Sequence, residues 1–199
     1  MIKGLQFRES DHTYTYGGAH VPGVTTVIED TLDSFSRVPR DVLERSRQLG
    51  KAVHKACALH DLKDLNISTV HEAVTPYLNA WIRFCKEQNF MALEIEAQVF
   101  HRKHMYAGTT DRVGYVKGCQ SAAIIDIKSG LIMPSARIQT AAYQEAYNFR
   151  RKEGRAEKRY IVQLKSDGNY HVEECHDKGD FSVFLSALHM HHWRLKNKI

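Results

Sequence analysis

The chain has 199 residues, 43 % of them hydrophobic, and carries a net charge of +5 at pH 7. Its length suits one domain with a buried core. It has neither an apolar run of the roughly 20 residues that a membrane-spanning helix needs nor an N-terminal secretion signal, so we expect a cytoplasmic protein without membrane contact. The mild basic excess favours a polyanionic partner but does not identify one.

The N-terminal half predicts a small hairpin followed by helices. Residues 5–16 alternate in polarity and precede two adjacent glycines, which is typical of a β-hairpin. A short helix is predicted after Pro22-Gly23, and a longer one from Pro39, a favoured first-turn residue, to about Leu62. The pair Thr75-Pro76 is interpreted as the N-cap and first turn of a third helix.

The C-terminal half changes to the period of β-strands and ends in a helix. Its predicted elements are strands at 93–100, 105–116 and 121–128, a helix over 136–153 opened by Pro134-Ser135 and closed by Gly154, strands at 158–166 and 170–174, and a helix from about Asp180 to Lys196.

This order of elements predicts an α/β or α+β domain with a mixed sheet and helices packed on it. We expect a single domain over residues 1–199. Its parts are a hairpin and short helix over 1–35, a helical part over 39–90, a catalytic sheet and helix over 91–175, and a C-terminal helix over 180–197.

Two carboxylates and a lysine in the predicted sheet indicate chemistry. Asp126 and Lys128 are two positions apart in an otherwise apolar strand, so they point to one face, and Asp111 lies in the preceding strand. An isolated pair of this kind is more often a structural ion pair. If the two carboxylates meet, however, a divalent cation relieves their repulsion, and the backbone carbonyl of Ile127 offers another hard oxygen ligand. Such ligands select Mg²⁺ or Mn²⁺, and Lys128 could stabilise charge on a phosphate.

Four short motifs in order then resemble the PD-(D/E)xK nuclease superfamily, and most closely its RecB-like, phage-type exonuclease branch. They are Gly50 to His54 on a helix, Gly108 to Asp111, Asp126 to Lys128, and Gln139 to Tyr143 on the following helix. The resemblance implies a restriction-endonuclease-like core, a central mixed sheet flanked by helices. It also implies a Mg²⁺- or Mn²⁺-dependent DNA nuclease, an exonuclease acting on ends or single strands in recombination, repair or phage DNA metabolism.

The resemblance further implies roles for individual residues. Asp111, Asp126 and Lys128 would be catalytic, with Gln139 orienting the lysine or a DNA phosphate. His54 would join the two aspartates as a metal ligand. Glu96 in the first strand of the sheet would lie near the metal, although Glu94 on the same side is an alternative.

Candidate DNA contacts come from the same regions and from two basic segments. Cations dominate residues 35–55 and 148–165, either as solvated helix faces or as contacts to a phosphate backbone on both sides of the site. The candidate contact residues are Tyr143, Thr25, Thr26, Arg47, Lys51 and Arg150. Tyr143 could stack on a base or pack in the core, and the two threonines could bond phosphate or cap a helix.

DNA is therefore the expected partner, with a single-strand annealing or recombination protein as a further candidate, and the chain could be phage-encoded. The four cysteines are scattered, so we expect no iron–sulfur cluster. His189 and His192 lie three apart on the last helix, which raises a zinc site as a weaker alternative to a solvated helix. A sequence- or structure-specific endonuclease and a non-catalytic nucleic-acid-binding module are the competing functions.

Overall fold

The computed structural model describes residues 2–9, 11–33, 39–149 and 151–198. The strands in these ranges are β1 Leu5–Arg8, β2 Thr13–Tyr16, β3 Ala19–Val21, β4 Met91–His101, β5 Tyr106–Tyr115, β6 Ala122–Lys128, β7 Ala156–Leu164 and β8 Tyr170–Glu174. The helices are α1 Val24–Thr31, α2 Arg40–Asp61, α3 Thr75–Glu87, α4 Ser135–Asn148 and α5 Asp180–Asn197. None of the helices in these ranges is long and apolar enough to cross a membrane.

The central sheet is mixed, with the strand order β4-β5-β6-β7-β8. Neighbouring strands are antiparallel except β6 and β7, which are parallel. A parallel pair needs a crossover connection, and α4 supplies it between β6 and β7. Strands β1 to β3 form a separate small sheet. The predicted mixed α/β architecture is confirmed.

Helices cover both faces of the central sheet. One core lies between the sheet and α1, α4 and α5, and the other lies between the sheet and α2 and α3. Because side chains alternate along a strand, Ile124 belongs to the first core while Ile125 and Ile127 belong to the second. Asp126 and Lys128 share the parity of Ile124, so they lie on the face that α4 covers.

Helix α4 is shorter than the sequence pattern predicts, because it ends at Asn148 instead of residue 153. The Asn148 side chain donates to the carbonyl of Ala156 at 2.8 Å and accepts from its amide at 2.9 Å, which fastens the end of the helix to the start of β7. Gly154, with φ 62°, lies in the turn before that strand.

Two predicted helix caps are wrong. Ser135 is the first residue of α4 and its hydroxyl donates to Asp33 at 3.0 Å, so it does not cap the helix. Thr75 is the first residue of α3, and its hydroxyl donates to the carbonyl of His71 at 3.3 Å. In both cases a nearby acceptor attracts the hydroxyl that the sequence pattern assigns to capping.

Candidate active site

Three carboxylates occupy corresponding positions on β4, β5 and β6. The register of β4 and β5 pairs Ile95 with Arg112 and Ala97 with Thr110, which places Glu96 opposite Asp111. The pairing of β5 with β6 ends at Arg112 and Ile125, and one further step places Asp111 opposite Asp126. The site therefore lies where the ladder between β5 and β6 ends.

Asp111 connects α2 to β6. Its Oδ1 lies 3.0 Å from Nδ1 of His54, and its Oδ2 accepts a hydrogen bond of 2.6 Å from the backbone amide of Ile127. The amide and carbonyl of one strand residue point to the same edge of the strand. The carbonyl of Ile127 is therefore directed to the side of β6 on which Asp111 lies.

Glu96 completes a cluster with these residues. His54, Glu96 and Asp111 each offer one ligand atom, and the three atoms lie within 4.8 Å of one another. Glu96 has a φ of 49°, which is unusual for a residue other than glycine and breaks the alternation of β4. Glu94 instead accepts a hydrogen bond of 3.1 Å from the hydroxyl of Tyr147. The backbone thus separates the two glutamates that the sequence leaves as alternatives.

Asp126 and Lys128 form the second part of the site. Nζ of Lys128 lies 2.9 Å from Oδ2 of Asp126 and donates to Oε1 of Gln139, also at 2.9 Å. The Asp126 side chain is 3 % exposed, and its Oδ2 has an ion-pair contact but no hydrogen bond of good geometry among the described residues. Gln139 in turn donates to the hydroxyl of Tyr143 at 3.0 Å, so α4 fixes the position of the lysine.

Burial and mutual repulsion shift the titration of the carboxylates. Burial raises the pKa of Asp126, and repulsion from Asp111 acts in the same direction. The attraction of Lys128 opposes both effects but does not outweigh them. Burial and the charge of Asp111 raise the pKa of Glu96 to about 7. Burial also favours neutral Asp111, but the charge and hydrogen bond of His54 outweigh it and lower the pKa of Asp111.

The donor set suits a hard divalent cation. Carboxylates and a backbone carbonyl are ligands that Mg²⁺ and Mn²⁺ prefer. Oδ2 of Asp126 is a buried oxygen without a well-formed hydrogen bond, and such atoms call for an ion or another partner. The residues present therefore fit the ion. Asp126 is not part of the three-atom cluster, and its Oδ2 lies against Nζ of Lys128.

The predicted DNA contacts have different surroundings. Tyr143 is 3 % exposed, so its ring packs in the core and is not open to a base. Thr25 is partly buried, with its Oγ1 at 3.4 Å from the Tyr143 hydroxyl, and Thr26 is exposed. Neither threonine caps α1, whose N-cap is Gly23. Arg47 and Lys51 are exposed on α2, and Arg150 lies outside the described residues.

The histidines of α5 do not form the alternative zinc site in the described part of the chain, where the one group of potential metal ligands is His54, Glu96 and Asp111. His191 is buried, and its Nδ1 lies 2.9 Å from Oδ2 of Asp30. It links α5 to α1. The four cysteines are free thiols.

Sequence reasoning missed a buried cation beside the site. The Arg112 side chain is 0 % exposed and pairs with Asp61 at the end of α2. Its neighbours Asp111 and Val113 are a candidate ligand and a core residue, so alternation sends Arg112 to the opposite, apolar face. A cation predicted on an apolar face requires an acidic partner, because an unpaired buried charge is costly. This requirement could have indicated from the sequence that Arg112 forms a buried ion pair.

Neither a family model nor a curated protein sequence matches the chain. Among solved structures, a proposed exonuclease from Eubacterium rectale is similar with a TM-score of 0.56 and 9 % identity, over 89 % of this chain and 82 % of that one. An alkaline exonuclease from Laribacter hongkongensis is similar over 88 % of this chain and 91 % of that one, with 17 % identity and a TM-score of 0.40, which is too low to support an argument. The sheet order, the crossover helix and the first of these likenesses show that the chain shares the mixed α/β fold of that proposed exonuclease, in agreement with the predicted central mixed sheet flanked by helices.

Proposed function

We propose that this protein is a divalent-metal-dependent DNA nuclease, and specifically an exonuclease of the RecB-like kind. The observation that carries the proposal is the convergence of His54, Glu96 and Asp111 beside the buried Asp126 and its half-buried partner Lys128. The likeness to a proposed exonuclease of the same fold adds support. Phosphate binding alone would not require buried carboxylates, because they repel a phosphate.

Each residue of the site would have a distinct task. His54, Glu96, Asp111, Asp126 and the Ile127 carbonyl would hold Mg²⁺ or Mn²⁺. A bound ion of this kind lowers the pKa of water and polarises a phosphoryl oxygen. Lys128, whose pKa remains raised by Asp126 and Asp111 despite burial, stays protonated and would stabilise negative charge developing on the phosphate oxygens. Gln139 would keep its ammonium group in place through the bond of 2.9 Å.

A basic face of α2 offers a route for the DNA backbone. Arg47 and Lys51 precede His54 by seven and three residues, so they lie on the same side of the helix as this proposed ligand. Both are exposed, and among the described residues Arg47 makes a loose ion-pair contact of 3.8 Å with Glu29. Arg45, nine residues before His54, lies on the opposite side of the helix and pairs with Asp41 at 2.5 Å.

The proposal is tested with linear and circular single- and double-stranded DNA, labelled at one end, in Mg²⁺, Mn²⁺ or EDTA. We expect metal-dependent release of nucleotides from linear DNA and none from circles. Lys128→Ala should reduce the rate by about 10³-fold, the scale of losing one oriented charge-stabilising group. Lys117→Ala, a change of an exposed lysine in the turn after β5 and outside both basic segments, is the matched control.

Four outcomes would contradict the proposal in different ways. Absence of cleavage in every metal removes the nuclease function, and equal rates for the wild type and Lys128→Ala mean that the cleavage does not come from this site. Binding of DNA without cleavage identifies a non-catalytic binding module. Cleavage of circles identifies an endonuclease.

A further inference from the structure

Arg112 makes contacts that reach from the core to the candidate metal ligands. It follows Asp111 on β5, and its guanidinium group is completely buried on the face that α2 and α3 cover. Nε donates to Oδ2 of Asp61 at 2.6 Å. Nη1 donates to the backbone carbonyl of Asp111 at 2.5 Å and to Oε1 of Glu96 at 3.2 Å. One nitrogen thus joins the strands that carry two of the proposed ligands.

Asp61, the anchor of this arginine, is itself held from two helices. Its Oδ1 accepts from Nε1 of Trp81 on α3 at 2.9 Å and lies 3.0 Å from Nδ1 of His60 on α2. The guanidinium carbon lies 5.5 Å from the centroid of the Trp81 ring, within the range of a cation–π contact. The position of Arg112 is therefore defined independently of Glu96.

The position of Glu96 depends on Arg112 more than the position of Arg112 depends on Glu96. The Glu96 side chain is 46 % exposed and its backbone has a φ of 49°, a conformation that costs free energy and persists only when neighbouring contacts impose it. Apart from Arg112, no side chain in the described ranges makes a hydrogen bond or ion pair to Glu96. Asp61 already neutralises Arg112, so the contact to Glu96 is not needed to bury the charge.

We propose that Arg112, anchored by Asp61, is a positioning residue that holds Glu96 and the Asp111 backbone in the geometry that receives the divalent ion. This inference rests on the proposed function, because it assigns a role toward the same metal. The planar guanidinium contacts Asp61, Glu96 and the Asp111 carbonyl at the same time. The compact ammonium group of a lysine could not make all three contacts together. Positioning contacts of this kind are worth 10- to 100-fold in metal affinity.

The test is calorimetric titration of the DNA-free protein with Mn²⁺. We expect Arg112→Lys and Glu96→Gln each to weaken Mn²⁺ binding by about 10- to 100-fold. The double variant should bind about as weakly as the weaker single variant, because the arginine acts through Glu96 and Asp111. Arg159→Lys is the matched control, since Arg159 is a buried arginine on β7 that bonds Asp180 and two backbone carbonyls. It should bind Mn²⁺ as the wild type does.

Thermal melting and circular dichroism of each variant separate this role from a general loss of folding. If Arg112→Lys does not fold, Asp61→Asn is the test variant in its place. It should also weaken Mn²⁺ binding, because Asp61 anchors Arg112. Wild-type affinity in a folded Arg112→Lys or Asp61→Asn protein, or fully multiplicative losses in the double variant, would overturn the inference. Because no DNA is present, a wild type that binds Mn²⁺ but cleaves nothing refutes the nuclease function and leaves this inference standing.

Discussion

The hydroxyl of Tyr143 is linked to the site through Gln139. It accepts a hydrogen bond from Gln139, which itself accepts one from Lys128, so a core tyrosine limits the movement of the proposed catalytic lysine. The ideal Cβ of an alanine at Gly108 would lie 2.6 Å from the Tyr143 ring, so the glycine provides the room that the tyrosine needs. Two of the sequence motifs are thus packed against each other.

Tyr143→Phe should therefore slow cleavage while leaving Mn²⁺ affinity unchanged. The loss of one neutral hydrogen bond is worth about 1 kcal/mol, so we expect a fall in kcat of roughly fivefold to tenfold. Tyr147→Phe, one turn further along α4, removes a hydroxyl that donates to Glu94 and serves as the control. Steady-state kinetics that show equal activity for both variants would refute the positioning role of Tyr143.

Metal affinity should depend on pH because the pKa of a proposed carboxylate ligand is raised. Glu96 has a pKa raised to about 7, so below that pH an arriving ion must displace a proton from it, and above that pH it need not. The apparent Mn²⁺ affinity should therefore rise as the pH increases from 6 to 8, by up to about tenfold per unit below the pKa. Titration of Glu96→Gln should give a weaker and flatter profile, and an unchanged slope would contradict this assignment.

At the scale of elements, α2 combines a proposed ligand with the proposed DNA surface. The double variant Arg47→Ala and Lys51→Ala should weaken DNA binding at low salt and reduce the salt dependence by about one to two phosphate contacts. Arg45→Ala, on the opposite side of α2, should bind DNA as the wild type does. Fluorescence anisotropy over a range of salt concentrations measures both effects, and equal slopes for all three proteins would exclude this face as the path of the DNA.

The sequence was sufficient to predict the strands of the sheet and the common face of Asp126 and Lys128, because alternation and local spacing determine both. The helical turn from Gln139 to Tyr143 followed in the same way. Contacts between distant residues could not be predicted. The early end of α4 depends on a bond between Asn148 and Ala156, and the choice between the two glutamates depends on the positive φ of Glu96. Local patterns contain no information on such contacts.

For the molecule as a whole, a buried histidine should limit stability in acid. His101 at the end of β4 stacks on Tyr106 at a centroid distance of 5.3 Å and packs at a tilt against Phe149 at 4.3 Å. Burial and the neighbouring His104 lower the pKa of His101 from 6.5 to about 4. The unfolded chain therefore binds the proton first, and stability is lost as the pH falls from about 6.5 towards 4, on the order of 1–3 kcal/mol for this residue.

Urea unfolding at pH 7.5 and pH 5 measures this effect. His101→Asn, which retains an acceptor for the amide of His104, should lose less stability between the two pH values than the wild type does. An equal loss in both proteins would mean that His101 does not control the acid response.

A divalent-ion site beside Lys128, formed by α2 and three adjacent strands, should be visible in a crystal of the protein grown with Mn²⁺. Anomalous scattering should place an ion roughly 2 Å from oxygens of Asp111 and Asp126, with His54 and Glu96 around it. The Lys128→Ala protein should show the same peak, since the lysine is not a ligand, and Asp126→Ala should lose it. A wild-type crystal with no manganese peak in this cluster, whether or not a peak lies elsewhere on the molecule, would rule out the proposed ion site.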